Sequence, residues 1–246
     1  MSLETAKRIF FKYMKVVNIE KIRRVLKYVI LVESIIILTL LVFILADYIL
    51  PYVAEPRTSG SIVVFDAEDI VENNFTGVKV VVVKGFMLTD LFSLPKLDAD
   101  LVIIVAHGFI YEDNEFILGT SEEPSVFYPV FHPLYVVEGA VVRGKTFDGE
   151  QRIGVSQKIL DYIPSPINKP IIMLTCGFGN VSGFAEKLVE KGASYVAYYN
   201  GTVKEEYVND FINKIINSWK NNTLRSWLES NNFVVVERKA SQNTVP

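Results

Sequence analysis

Residues 28–46 form a nineteen-residue run in which only Glu33 is charged, and residues 35–46 carry no charge at all. As a helix, such a run reaches about 28 Å, close to the hydrocarbon thickness of a bilayer. Glu33 stands near one end, where a carboxylate is least costly in lipid. A buried core helix is the other reading. The length and aliphatic density of the run favour a membrane-spanning helix, expected over residues 28–50, followed by a short Pro/Gly-containing linker over 51–60.

The flanks point the same way. Residues 1–27 hold eight Lys/Arg (Lys7, Arg8, Lys12, Lys15, Lys21, Arg23, Arg24, Lys27) against Glu4 and Glu20, a net +6. The whole chain is −3, which leaves −9 for residues 28–246. By the positive-inside rule the N-terminus is expected in the cytoplasm and the large C-terminal part outside it. The run ends in ADYILPYVAEP without a clear small-x-small cleavage site, so a retained signal anchor is expected rather than a cleaved leader. The basic segment 1–27 also carries Phe10, Phe11, Met14, Val17, Ile22 and Val25, the composition of a helix lying on an acidic lipid surface.

Four Asn-x-Ser/Thr tripeptides follow the run, at Asn74, Asn180, Asn200 and Asn221. They suit an exterior glycoprotein, although an Asn-rich tail yields such tripeptides by chance. Cys176 is the only cysteine, which excludes an intrachain disulfide and leaves the domain to be held by its core. The acidic balance beyond residue 27, with no basic stripe interleaved with aromatics, argues against nucleic acid as a partner.

Beyond the linker, continuous apolar runs recur: SIVVFDA (61–67), VKVVVVKG (78–85), LVIIVA (101–106), IIMLT (171–175), ASYVAYY (193–199) and FVVVE (233–237). Runs without alternation fit strands buried on both faces, as in a parallel sheet covered by helices. Helices are predicted over 88–94, 182–192, 204–222 and around Leu224, Trp227 and Leu228. Residues 108–168 are the least regular. FILG (116–119) and 134–144 read as short strands or hairpin arms, and 153–163 as a short helix. The expected architecture is a three-layer α/β/α sandwich with a mostly parallel six-stranded sheet over 61–237 and a frayed tail over 238–246, its ligands bound at the C-terminal ends of the strands.

Two of the apolar runs end in chemistry. LVIIVAHG places His107 at a strand exit, and PIIMLTCG places Cys176 at another. A thiol attacks a carbonyl as thiolate, and an imidazole beside it can deprotonate it and then protonate the leaving amine. Backbone amides at Gly108, Cys176 and Gly177 are candidates for an oxyanion hole, where glycine lets the chain turn closely past a substrate. Taken singly, Cys176 also reads as a small buried hydrophobe and His107 as a packed or capping histidine.

LPKLDADLVIIVAHG and IIMLTCGFGNVSGFAEKLVEKGASYVAYYNGTV together resemble the caspase-like cysteine peptidase superfamily, which includes caspases, legumain, gingipains, clostripain, separase and the CHAT-domain proteins. The resemblance covers about residues 60–237. It implies His107 as general base and acid, Cys176 as nucleophile, and an endopeptidase activity that needs no cofactor or metal. Asp66, Asp148 and Glu150 are acidic candidates for a pocket receiving a basic side chain. Thr175 departs mildly from the small residue usual before the cysteine. A glycan on Asn180 would crowd the cleft. A catalytically silent domain of this type, binding a protein or ligand outside the cell, is the alternative. A serine hydrolase is disfavoured, because no Gly-x-Ser-x-Gly elbow exists and Ser182 stands in NVSG. His132, in FHP, has no metal-ligand spacing and reads as a loop histidine. No Walker or dinucleotide glycine motif is present. The expected partners are a lipid membrane and a peptide or protein; the sequence leaves the oligomeric state open.

Overall fold

A computed structural model describes residues 4–8, 19–75, 78–111, 115–145, 149–164, 166–175 and 181–238. The chain divides into two compact units, residues 1–45 and 46–246.

Most of the first unit belongs to a helix, α1 (Ile19–Val53), which is longer at both ends than the span predicted for it. It is the one helix among the described residues long and apolar enough to cross a membrane, and none of its most apolar stretch is buried in protein. Its last turns belong to the second unit. There Asp47, Leu50, Pro51 and Ala54, spaced i, i+3, i+4 and i+7, turn toward protein, while Tyr48, Ile49, Tyr52 and Val53 are exposed. Residues 51–60 are held to the domain. The Lys96 ammonium donates to the carbonyls of Tyr52 and Ala54 at 3.0 and 2.9 Å, and Arg57 pairs with buried Asp90.

The second unit is built on a six-stranded sheet: β1 (Ile62–Asp66), β2 (Val80–Lys84), β3 (Leu101–Ala106), β8 (Ile171–Thr175), β9 (Tyr195–Tyr199) and β10 (Phe233–Glu237). The order is β10-β9-β8-β3-β1-β2. All neighbours are parallel except β9 and β10. All six coincide with the apolar runs.

The register explains why the runs do not alternate. Val63, Val102, Ile171, Val196 and Val236 form one cross-strand row on one face. Val64, Ile103, Ile172, Ala197 and Val235 form the next row on the other face. Successive side chains point to opposite faces, and both faces are covered, so consecutive residues within each strand must be apolar. Helices α2 (Leu88–Ser93) and α5 (Val181–Glu190) cover the first face through Leu91, Phe92, Phe184 and Leu188. Helices α6 (Glu205–Lys220) and α7 (Leu224–Ser230) cover the second through Val208, Ile212, Ile215 and Leu228. The result is a three-layer α/β/α sandwich. Tyr207, beside Val208 on α6, is exposed.

A second sheet of four antiparallel strands lies in the part of the sequence that reads as irregular. It joins β4 (Gly108–Ile110), β5 (Phe116–Gly119), β6 (Val141–Lys145) and β7 (Gln151–Val155) in the order β4-β5-β7-β6. Two expectations are corrected here. Residues 134–144, expected as short strands or hairpin arms, are strand only from Val141: Pro133 opens the short helix α4 (Pro133–Val137), and Gly139 turns the chain into β6 at φ 68°. Residues 153–163 are not one helix. Ile153 and Val155 alternate as strand residues, and a 3-10 helix (Gln157–Tyr162) begins only after Ser156, whose hydroxyl accepts from the Lys158 amide at 3.2 Å. Another short helix, α3 (Tyr128–Phe131), immediately precedes α4.

Candidate functional site

The C-terminal ends of β1, β3 and β8 lie side by side at the centre of the large sheet. Ala106 and Thr175, the last residues of β3 and β8, are register partners. In the sequence the residues that follow them are His107 and Cys176. Neighbouring strands are about 4.8 Å apart. Cys176, Gly177 and Asp148 lie outside the described residues. Thr175 is buried, and its hydroxyl has no hydrogen-bond partner among the described residues.

His107 is the single residue between two strands of different sheets, β3 before it and β4 after it. Glu68 and Gly119 hold it. Its amide donates to Glu68 Oε1 at 3.1 Å, its carbonyl accepts from the Gly119 amide at 2.8 Å, and its Nε2 lies 3.1 Å from Glu68 Oε2. The imidazole keeps part of its surface exposed, while the Glu68 side chain is only 9 % exposed. One carboxylate thus holds both the backbone and the ring of His107.

Glu68 in turn has its own support. Burial pushes its carboxyl up, but the hydrogen bonds and charge of His107, with Arg152 beyond them, outweigh burial and hold it below the ordinary carboxylate value. Arg152, on β7, places Nη2 3.7 Å from Glu68 Oε2 and 3.0 Å from Glu150 Oε2. The turn carrying Glu68 is shaped by Asp66, whose fully buried carboxylate accepts from the amides of Glu68 and Val71 at 3.3 and 2.8 Å and pairs with Lys84 at 2.8 Å.

Of the candidates read from sequence, the structure brings His107, Gly108 and Glu150 to one neighbourhood. Glu150 is more than half exposed and reaches it through Arg152. Gly108 opens β4 opposite Leu118. Asp66 is behind the site, where it holds the turn that bears Glu68. Glu68 and Arg152 are not among the residues that the sequence singles out. A signal for Glu68 is nonetheless present: FDAED follows an apolar strand run, the same placement that marks His107.

Among the described residues, no three His, Cys, Asp or Glu side chains gather as a metal-binding set. A cleft of about 630 Å³ is lined by Ile163, Pro166, Asn168, Lys191 and Ser194. These residues precede β8 and β9 or end α5, at the opposite edge of the sheet from His107, so the cleft is no part of this site.

No protein-family model matches the chain, and no curated protein matches it. The three-layer sandwich and its largely parallel sheet agree with a caspase-like fold without being specific to it.

Proposed function

We propose that this protein is a membrane-anchored cysteine endopeptidase of caspase-like type, with Cys176 as nucleophile and His107 as its base and acid. The observation that carries the reading is the pairing of Ala106 with Thr175, the residues that immediately precede His107 and Cys176 in the sequence. The carboxylate on His107 supports it. A base whose ring is oriented by a third group is the recurring arrangement around an activated nucleophile.

The Cys176 thiolate attacks the scissile carbonyl carbon, a C–S bond forms, and the carbonyl electron pair moves to oxygen. Amides at Gly108, Cys176 and Gly177 are the proposed donors to that oxyanion. His107 protonates the leaving amine as the C–N bond breaks. The same imidazole then takes a proton from water, which displaces the thiolate from the acyl group. Glu68 keeps the ring in place and favours its charged form, which carries the proton taken from the Cys176 thiol until the leaving amine receives it. Glu150, with Asp148, is the proposed acidic contact for a basic substrate side chain.

Helix α1 is the proposed anchor, with the basic segment 1–27 cytoplasmic and the α/β domain outside. An electrophilic peptide probe tests the chemistry. Labelling of the wild type that is abolished in Cys176→Ser and strongly reduced in His107→Ala supports it. An unlabelled wild type at every pH and activating condition means a silent binding domain. Added protease should digest residues 60–246 from outside intact cells; their protection reverses the topology.

A further inference from the structure

We propose that the domain is seated in the lipid surface by an apolar face formed by Phe127, Val130 and Phe131, with Val126 beside it. The proposal rests on the reading of α1 as a membrane span.

Asp47 directly follows the uncharged stretch 35–46, so it stands where the hydrocarbon ends. A carboxylate there needs partners, and it has them within the second unit. Asp47 is 1 % exposed, with Oδ1 2.8 Å from His132 Nδ1 and Oδ2 accepting from the Leu134 amide at 3.1 Å. Its backbone carbonyl accepts from the Tyr135 hydroxyl. The α3–α4 segment is therefore fixed at the depth of residue 47. Tyr48 and Tyr52, exposed on the outer side of the helix, are the kind of residue that marks the membrane–water boundary. Tyr52 stands about 7.5 Å further along the helix than Asp47. The α3–α4 segment consequently reaches below the outermost ring of that aromatic belt.

What the segment exposes at that depth is apolar. Residues 124–137, PSVFYPVFHPLYVV, contain no Asp, Glu, Lys or Arg. Val126 is 77 % exposed, Phe127 61 %, Val130 40 % and Phe131 50 %. Phe127, Val130 and Phe131 are spaced i, i+3 and i+4 and share one helical face, while Tyr128 turns inward, its hydroxyl donating to Glu122 at 2.7 Å. Glu122 and Glu123 before the segment and Glu138 after it mark where the chain returns to charged surface. An uncharged, aromatic-rich face on the segment that binds Asp47 is fitted to the headgroup–acyl boundary.

The test uses the full chain in phosphatidylcholine nanodiscs. In a Cys176→Ser background, single cysteines are introduced by Val126→Cys, Phe127→Cys, Leu41→Cys and Glu229→Cys and labelled with an environment-sensitive fluorophore. Doxyl lipids are added as the membrane quencher and iodide as the aqueous one. Labels at 126 and 127 should lose at least half their emission to doxyl lipid, as the label at 41 does, while the label at 229 responds only to iodide. If 126 and 127 behave like 229 while 41 is quenched by lipid, the face is in water and the proposal fails. If they are shielded from both quenchers, a second copy covers the face and the proposal fails in favour of an oligomer. If 41 itself escapes lipid quenching, the span reading falls and takes the proposal with it.

Discussion

The two sheets of the α/β domain solve the same problem by opposite means. In the six-stranded sheet each strand carries an unbroken apolar run, and the central strands are buried on both faces. The four-stranded sheet has strands of three to five residues containing Gly, Arg, Gln and Lys. One face reaches the main core through Phe116, Leu118 and Ile153; the other carries a small cluster of Phe109, Ile117 and Val142. There the Phe109 ring lies over two glycines: a Cβ on Gly144 would stand 2.0 Å from it and one on Gly154 2.4 Å. The large sheet is specified by hydrophobicity, the small one by the shape of one ring over missing side chains. His107 is the hinge residue between them.

This difference is open to measurement on the full chain by thermal unfolding in detergent. Ile104→Ala, in the doubly covered sheet, should cost about 2–5 kcal/mol, through lost transfer energy and a cavity that the packed layers cannot close. A change below about 1 kcal/mol would mean that the large sheet is not the dominant core. Gly154→Ala should cost about 1–3 kcal/mol, because the new methyl would stand 2.4 Å from both Ile117 and Phe109 and must displace them. It should also weaken probe labelling at Cys176, since β4 begins one residue past His107. Stability lost without any effect on labelling would show that the small sheet does not position the histidine.

Smaller effects sharpen the boundary itself. Glu68→Gln should cost about 1 kcal/mol at neutral pH, through loss of a charge-assisted pair with His107. The sign with pH is fixed. The Glu68 carboxyl is held below its ordinary value of 4.5, so its contribution is complete above that value and vanishes as pH falls through the lowered one. The gap between wild type and Glu68→Gln should therefore close on acidification below 4.5; a gap that widens there would contradict the assigned pair. Thr175→Val should have the smallest effect and the opposite sign, a gain of up to about 1 kcal/mol, because it removes a buried hydroxyl without a partner among the described residues. A loss of more than about 1 kcal/mol would reveal a bond to that hydroxyl.

The same contrast governs what is legible in the amino-acid sequence. The six core strands are legible because burial on both faces writes an unbroken apolar run into each, and His107 is legible as the residue at the end of one. The small sheet is not. β4 has three residues, β7 begins with Gln151 and Arg152, and the glycines that shape it gain meaning only from Phe109, 35 and 45 residues earlier in the chain. Residues 134–144 read as strand because Val136, Val137, Val141 and Val142 share a β-forming side chain, yet Pro133 and Gly139 divide them between a helix and a strand. Glu68 is hidden for a different reason. An acidic residue after a strand resembles ordinary turn chemistry, and its role depends on a partner 39 positions away. Asp66, expected beside a substrate, is drawn inward by Lys84 and two amides.

The central claim is that His107 activates Cys176. The chain contains no other cysteine, so the pH dependence of alkylation by iodoacetamide reports on that thiol alone. With His107 in place, the account predicts an apparent thiol pKa below about 7.5, moving toward about 8.5 in His107→Ala. A wild-type value at or above about 8.5, unchanged by His107→Ala, would contradict it.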